Sequence, residues 1–154
     1  KAQGEEADGA ILAAAGMIRL GLQDQVAEYL STSQFVPPPG QGILAVEARA
    51  DDHRMLELLS AINDADTRYE ATAERAFLEK LGGGCSIPVG AYAQCVEDIM
   101  VMTIYMSTED GEKNFTTKIR GLKRDPLQLA GDAYLALVEQ GGADLVAAAR
   151  ANQG

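Results

Sequence analysis

The chain has 154 residues, 47% of them hydrophobic and 23% charged, which suits one globular domain with a tail or a piece of a neighbour. Its 13 basic and 23 acidic residues leave a formal net charge of −10, which argues against a nucleic-acid platform and an anionic membrane surface. Two cysteines and one histidine are too few for a disulfide scaffold and argue against a zinc site, so a reducing, cytoplasmic setting is expected.

In chain order, the first residues lack the basic-then-apolar layout of a signal peptide, and no initiator Met is present, as in a fragment or processed product. Ala10–Ala13 reads as a short buried strand running into a helix that carries Arg19. The run Val36-Pro37-Pro38-Pro39-Gly40-Gln41-Gly42 cannot sit in a helix interior or a central strand, so it is expected to be a crossing or hinge. Ile43 to Arg49 alternates like a strand, yet it has no partner nearby in sequence. Residues 1–50 therefore read as pieces of a fold whose remainder lies elsewhere, and their unpaired apolar edges invite self-association.

From Asp51 the chain reads as a self-contained unit. Asp51-Asp52 caps a helix over about 53–63 with Met55, Leu58, Leu59 and Ile62 on one face. Thr67 and Glu70 have capping-box spacing. The helix behind them places Tyr69, Ala73, Ala76, Phe77 and Leu81 on one stripe and ends at Gly82. Strands are expected at Pro88–Cys95, Ile99–Ser107 and Asn114–Gly121, with hairpin loops at Glu97-Asp98 and Glu109-Asp110-Gly111. Phe115, Thr117 and Ile119 oppose Thr116, Lys118 and Arg120, so one face of the third strand is wet. Asp125 caps a helix with Pro126 at its first position and Leu127, Ala130, Tyr134, Leu137 and Val138 buried. A last short helix carries Leu145 and Val146. The order describes an α+β domain, a three-stranded antiparallel sheet covered by helices on one face.

Few residues carry chemistry. Three glycines directly precede Cys85, and Pro88 follows, so the thiol is displayed on an open loop that another group can approach. The same pattern also describes a helix C-cap with an incidental cysteine. Cys95, ending an apolar strand, reads as a small buried hydrophobe. Arg19, in an apolar stretch, is either a carboxylate ligand facing a cleft or a solvated helix position. Gly40-Gln41-Gly42 offers backbone amides and one polar side chain to a ligand, but a lone Gly-x-Gly is a weak signal. His53 reads as a surface residue, and the acids along 47–80 as solvated helix faces.

Val36–Asp52, then Glu70-Ala71-Thr72-Ala73-Glu74-Arg75-Ala76-Phe77-Leu78 and Gly83-Gly84-Cys85-Ser86-Ile87-Pro88-Val89-Gly90, closely resemble the hydroxymethylbilane synthases, also called porphobilinogen deaminases. Ala15-Gly16-Met17-Ile18-Arg19-Leu20-Gly21 is similar to that family's middle region, so the resemblance covers essentially the whole chain. It implies a three-domain transferase of about twice this length that joins four porphobilinogen units into hydroxymethylbilane, releasing ammonia at each step. It implies a dipyrromethane cofactor held by a thioether on Cys85, with Arg19, Gln41 and Gly42 as further cofactor-binding residues. It implies that residues 1–36 are the remnant of a second α/β domain, 37–50 a hinge and return strand of the first, and 51–154 the cofactor-attachment domain. The family's catalytic aspartate has no counterpart here, so no catalytic residue is assigned and the chain alone is expected to be inactive. The full-length enzyme is expected to be monomeric and cytoplasmic, with porphobilinogen as its partner and neither nucleic acid nor membrane. The competing expectation is a non-catalytic α+β ligand-binding or interaction module.

Overall fold

A computed structural model describes residues 7–82, 88–108 and 110–151, the last four by their backbone alone. The chain divides into two compact units, Lys1–Ser31 and Thr32–Gly154. In the first, helix α1 (Ala14–Arg19) and a 3₁₀ turn (Gln23–Gln25) are the regular elements among the described residues. The expected strand at 10–13 does not form; Ile11 and Leu12 are exposed and no ladder takes their backbone groups. A strand is stable only where a neighbour pairs with it, and the described residues of the unit offer none.

The second unit opens with an irregular segment up to α2 (His53–Ser60). Ile43 to Arg49 forms no strand either, and Leu44 is 88% exposed. Its alternating pattern is genuine, but the partner strand that would use it is missing from the described residues. The Asp52 side chain accepts a hydrogen bond from the Met55 N–H and caps α2 as expected, at 3.0 Å. No residue of α2 is buried, so its apolar stripe faces outward.

Helix α3 (Ala65–Lys80) begins three residues earlier than the capping-box spacing suggests. Asp64, not Thr67, is the cap: its carboxylate accepts from the Thr67 N–H at 2.7 Å. A carboxylate three residues ahead of a free N–H outcompetes a hydroxyl placed further along, because it brings charge to the positive end of the helix. Ala73, Ala76, Phe77 and Leu81 are buried on the stripe expected for them, and Gly82 takes the left-handed conformation (φ 108°) that ends the helix.

Strands β1 (Val89–Val96), β2 (Ile99–Ser107) and β3 (Asn114–Leu122) pair antiparallel in the order β1-β2-β3. The register sets Ala91, Ile104 and Thr117 in one row and Ala93, Met102 and Ile119 in the next. The inward face is built from Ala91, Ala93, Met100, Met102, Ile104 and Met106. Helix α3 packs on β1 and α4 (Pro126–Leu137) on β3, and the two helices pack on each other. Unbranched methionines on the central strand fit between alanines on β1 and two helices, since a thioether fills irregular gaps. On α4 the buried residues are Leu129, Ala130, Ala133 and Leu137, while Leu127 is 64% exposed, a correction to the expected stripe. Leu127 lies in the first turn, ahead of the part of the helix that reaches the sheet. The kink at Gly141 (φ 95°) leads into α5 (Ala143–Ala151), which buries Leu145 and Val146.

The α+β domain expected from sequence is therefore present: three antiparallel strands with helices against one face. Along β3 the outer positions 116, 118 and 120 are exposed and the inner ones half-buried, as the alternation requires.

Candidate cofactor site

The four residues singled out above fall in different places. Arg19 is the last residue of α1, in the first unit, and is exposed. Cys85 lies outside the described residues. Gln41 and Gly42 are exposed on the second unit.

The described residues on either side of Cys85 are anchored in the domain. Before it, Leu81 is fully buried and the Gly82 N–H donates to the Glu79 carbonyl at 3.0 Å. After it, the Pro88 carbonyl accepts from the Ser107 N–H at 3.1 Å, which ties Pro88 to the end of β2. A helix end and a strand start thus flank residues 83–87 in the chain.

Gln41 and Gly42 sit on a double turn. The Gln41 N–H donates to the Pro38 carbonyl at 3.1 Å, and the Ile43 N–H donates to the Gly40 carbonyl at 3.2 Å. Gly40 and Gly42 occupy the third position of each turn with φ of 80° and 86°. That is the type II pattern, with proline at the second position of the first turn and glycine where φ must be positive. Gln41 projects between two glycines, and a Cβ placed on Gly42 would meet nothing within 4 Å. A ligand can therefore approach the backbone here.

This turn is strapped to the edge of the sheet. The Ala91 N–H donates to the Pro37 carbonyl at 2.9 Å. The Glu74 carboxylate takes the Gly40 N–H on Oε2 at 2.7 Å and the Ala93 N–H on Oε1 at 2.8 Å. One turn earlier on α3, Glu70 Oε1 accepts from the Cys95 N–H at 2.7 Å. Asp66 continues the row: its carbonyl lies 3.7 Å from the Cys95 thiol, and its carboxylate pairs with the Lys123 ammonium at 3.0 Å. The outward N–H groups of Ala91, Ala93 and Cys95 on edge strand β1 are thus satisfied by a carbonyl and two carboxylates, which closes that edge to other chains.

These contacts correct the reading of the acids as solvated faces. Glu74 is 3% exposed and lies inside the domain. The legible signal was spacing: Asp66, Glu70 and Glu74 recur every fourth residue and so share one helix face. Burial pushes the Glu74 carboxyl up from its ordinary value, against the lowering effect of the Ala93 and Gly40 N–H groups. Burial, with the Glu70 and Asp66 charges, pushes the Cys95 thiol up to about 11. Cys95 is half-buried against the core and suits the small-hydrophobe reading.

An open groove between α3 and the start of α4 is lined by Arg68, Tyr69, Thr72 and Arg124, and contains none of the residues expected at the site. Among the described residues no group of acids, cysteines and histidine could hold a metal ion. No described helix is long and apolar enough to cross a membrane.

Two family models match the chain. "Porphobilinogen deaminase, dipyromethane cofactor binding domain" matches residues 1–57, and "Porphobilinogen deaminase, C-terminal domain" matches residues 68–138. Arg19, Gln41 and Gly42 fall in the first match and Cys85 in the second. Among curated proteins, the chain is 40% identical over 148 residues to porphobilinogen deaminase of Halalkalibacterium halodurans, covering 95% of this chain and 47% of that relative. It is 40% identical over 144 residues to that of Roseiflexus sp., covering 91% of the chain and 46% of the relative. It is 42% identical over 145 residues to the probable porphobilinogen deaminase of Nitrosopumilus maritimus, covering 94% and 46%. The chain spans about half the length of the curated relatives it matches.

Proposed function

Since the chain belongs to the porphobilinogen deaminase family, we propose that it is the cofactor-bearing part of a cytoplasmic transferase that polymerises porphobilinogen into hydroxymethylbilane, releasing one ammonia per unit joined. The observation that carries this reading is the match of both family models along the chain, one of them named for dipyrromethane binding.

The described residues suit such a group. A chain of pyrroles bearing carboxylates needs cations, amide donors and open backbone around it. Arg19 offers an exposed guanidinium, Gln41 an exposed side-chain amide, and Gly42 a backbone without a side chain in the way. In this reading the Cys85 sulfur would hold dipyrromethane as a thioether, between Leu81 and Pro88, both of which are anchored in the domain. When bound, dipyrromethane supplies the primer that is extended and that stays behind when the tetrapyrrole is hydrolysed off. By the resemblance, Arg19 would pair with a pyrrole carboxylate, Gln41 would donate to one, and Gly42 would leave the backbone open to the pyrroles.

The proposed division follows the resemblance: 1–36 from a second domain, 37–50 a hinge and return segment of a first, and 51–154 the domain with the cysteine. The family's catalytic aspartate is not among these residues, so the 154-residue chain alone makes no hydroxymethylbilane, and detection of that product from it would refute this point. The anchor is tested by intact mass of the full-length enzyme. The wild type carries a dipyrromethane adduct and Cys85→Ser carries none; a Ser variant still bearing a covalent dipyrrole overturns the assignment.

A further inference from the structure

We infer that Glu74 is a positioning residue for the Gln41–Gly42 turn, its one buried carboxylate holding the turn and the edge of β1 in fixed register through the Gly40 and Ala93 amides. This rests on, and deepens, the reading that Gln41 and Gly42 contact the pyrrole chain.

The geometry has few substitutes. Gly40 and Ala93 are 34 and 19 residues from Glu74, and each donates its N–H to a different oxygen of the same group, at 2.7 and 2.8 Å. Both bonds are charge-assisted, hence short and strong. Burying a carboxylate is costly unless it is hydrogen-bonded, so a Glu at 3% exposure is held there by these two donors. Gly40 is bonded on both sides: its N–H to Glu74, its carbonyl to the Ile43 N–H across Gln41 and Gly42. Fixing Gly40 therefore fixes the direction in which Gln41 projects. The Pro37 carbonyl, bonded to Ala91, pins the other end of the strap, and the two prolines between the pins, Pro38 and Pro39, limit how the segment can swing. The charged group facing Glu74 is Glu70 on its own helix; the strap and β1 present backbone N–H groups to it.

The test is amide NMR on the 154-residue chain, comparing wild type with Glu74→Gln and Glu74→Ala. In the wild type the Gly40 and Ala93 amide protons shift together with one shared titration, above the ordinary Glu range, and Glu74→Gln abolishes it. A purely space-filling role would leave these two amides without a common titration. Hydrogen exchange at Gly40 and Ala93 quickens at least tenfold in Glu74→Ala. In Glu74→Gln, which keeps one acceptor oxygen, it quickens mainly at one of them. Met102 and Ile104 amides, deep in the sheet, report whether the fold is intact. Independent titration of the two amides, or wild-type exchange in Glu74→Ala with the sheet amides protected, overturns the inference. If Glu74→Ala loses the sheet amides as well, the Gln variant's titration decides. Porphobilinogen added to the full-length enzyme then separates the two readings. Shifts at Gln41 and Gly42 in the wild type, weakened in Glu74→Ala, support both. Their absence in the wild type overturns the contact reading, while the co-titration still decides the role of Glu74.

Discussion

Val36 and Gly90 are in such close contact that the space where a side chain would begin at residue 90 is already filled: a Cβ there would lie 2.5 Å from the Val36 carbonyl oxygen and 2.9 Å from its Cβ. The strap preceding the double turn is thus laid against β1 at the one strand position without a side chain, one residue before the Ala91–Pro37 hydrogen bond. Backbone meets backbone here, so the contact cannot be relieved by a rotamer change.

Gly90→Ala is expected to destabilise the domain by about 1–3 kcal/mol, the usual range for overpacking. Gly131→Ala is the contrasting change. Gly131 lies inside α4, and its nearest neighbour to an added Cβ is the flexible Lys80 Cε at 3.9 Å. That substitution should stabilise by about 0.5–1 kcal/mol, since alanine restricts the unfolded chain and favours helix. Urea denaturation of both variants checks the pair; a Gly90→Ala chain as stable as wild type would mean the strap does not lie on β1.

Acid titration should separate two carboxylates by the sign of their effects. The Thr67 backbone N–H, then its hydroxyl, lowers the Asp64 carboxyl, so its contribution to stability is present above the unfolded value and lost as pH falls through the lower folded value. Glu74 is raised, so the folded state holds its proton more tightly, and its contribution is lost as pH rises from the unfolded value through the folded one. Stability lost by Asp64→Ala should therefore shrink on acidification. The advantage of wild type over Glu74→Gln should shrink as pH rises above the ordinary Glu range. Denaturation midpoints measured across acid to neutral pH check this, and slopes of the same sign for both variants would contradict it.

The two thiols are expected to differ in reactivity. With Cys95 pushed up to about 11 from an ordinary 9.0, its thiolate fraction at neutral pH falls about 100-fold. A Cys85→Ser chain, left with Cys95 alone, should react with iodoacetamide far more slowly than a Cys95→Ala chain does through Cys85. Mass spectrometry over time reads the difference, and equal rates would show that Cys95 is not protected.

Much of this was legible before any tertiary contact was known. The three strands, both hairpin connections, the buried stripe of α3 and its glycine stop all follow from hydrophobic period and turn chemistry, which act over a few residues. The family, too, was legible, because the Gly-Gly-Gly-Cys-Ser-Ile-Pro run and the Glu-Arg-Ala-Phe-Leu run are local strings. The misreadings are of another kind. Ile43 to Arg49 alternates like a strand but has no neighbour to pair with among the described residues, and Leu127 has the right spacing but precedes the part of α4 that meets the sheet.

Sequence by itself determined the helices and the three paired strands of the α+β domain and which glycines bend the chain there, because those choices are settled by each residue's own backbone and its near neighbours. Only the tertiary structure decided that Glu74 is inside the domain and not on a wet helix face. Its partners are the amides of Gly40 and Ala93, one on a proline-rich strap and one on a sheet edge, distant in the chain. A charge of −10 counts every carboxylate alike. The fold divides them into those that keep the surface acidic and those that replace water on buried backbone N–H groups, a division set by which donors the packing brings within reach.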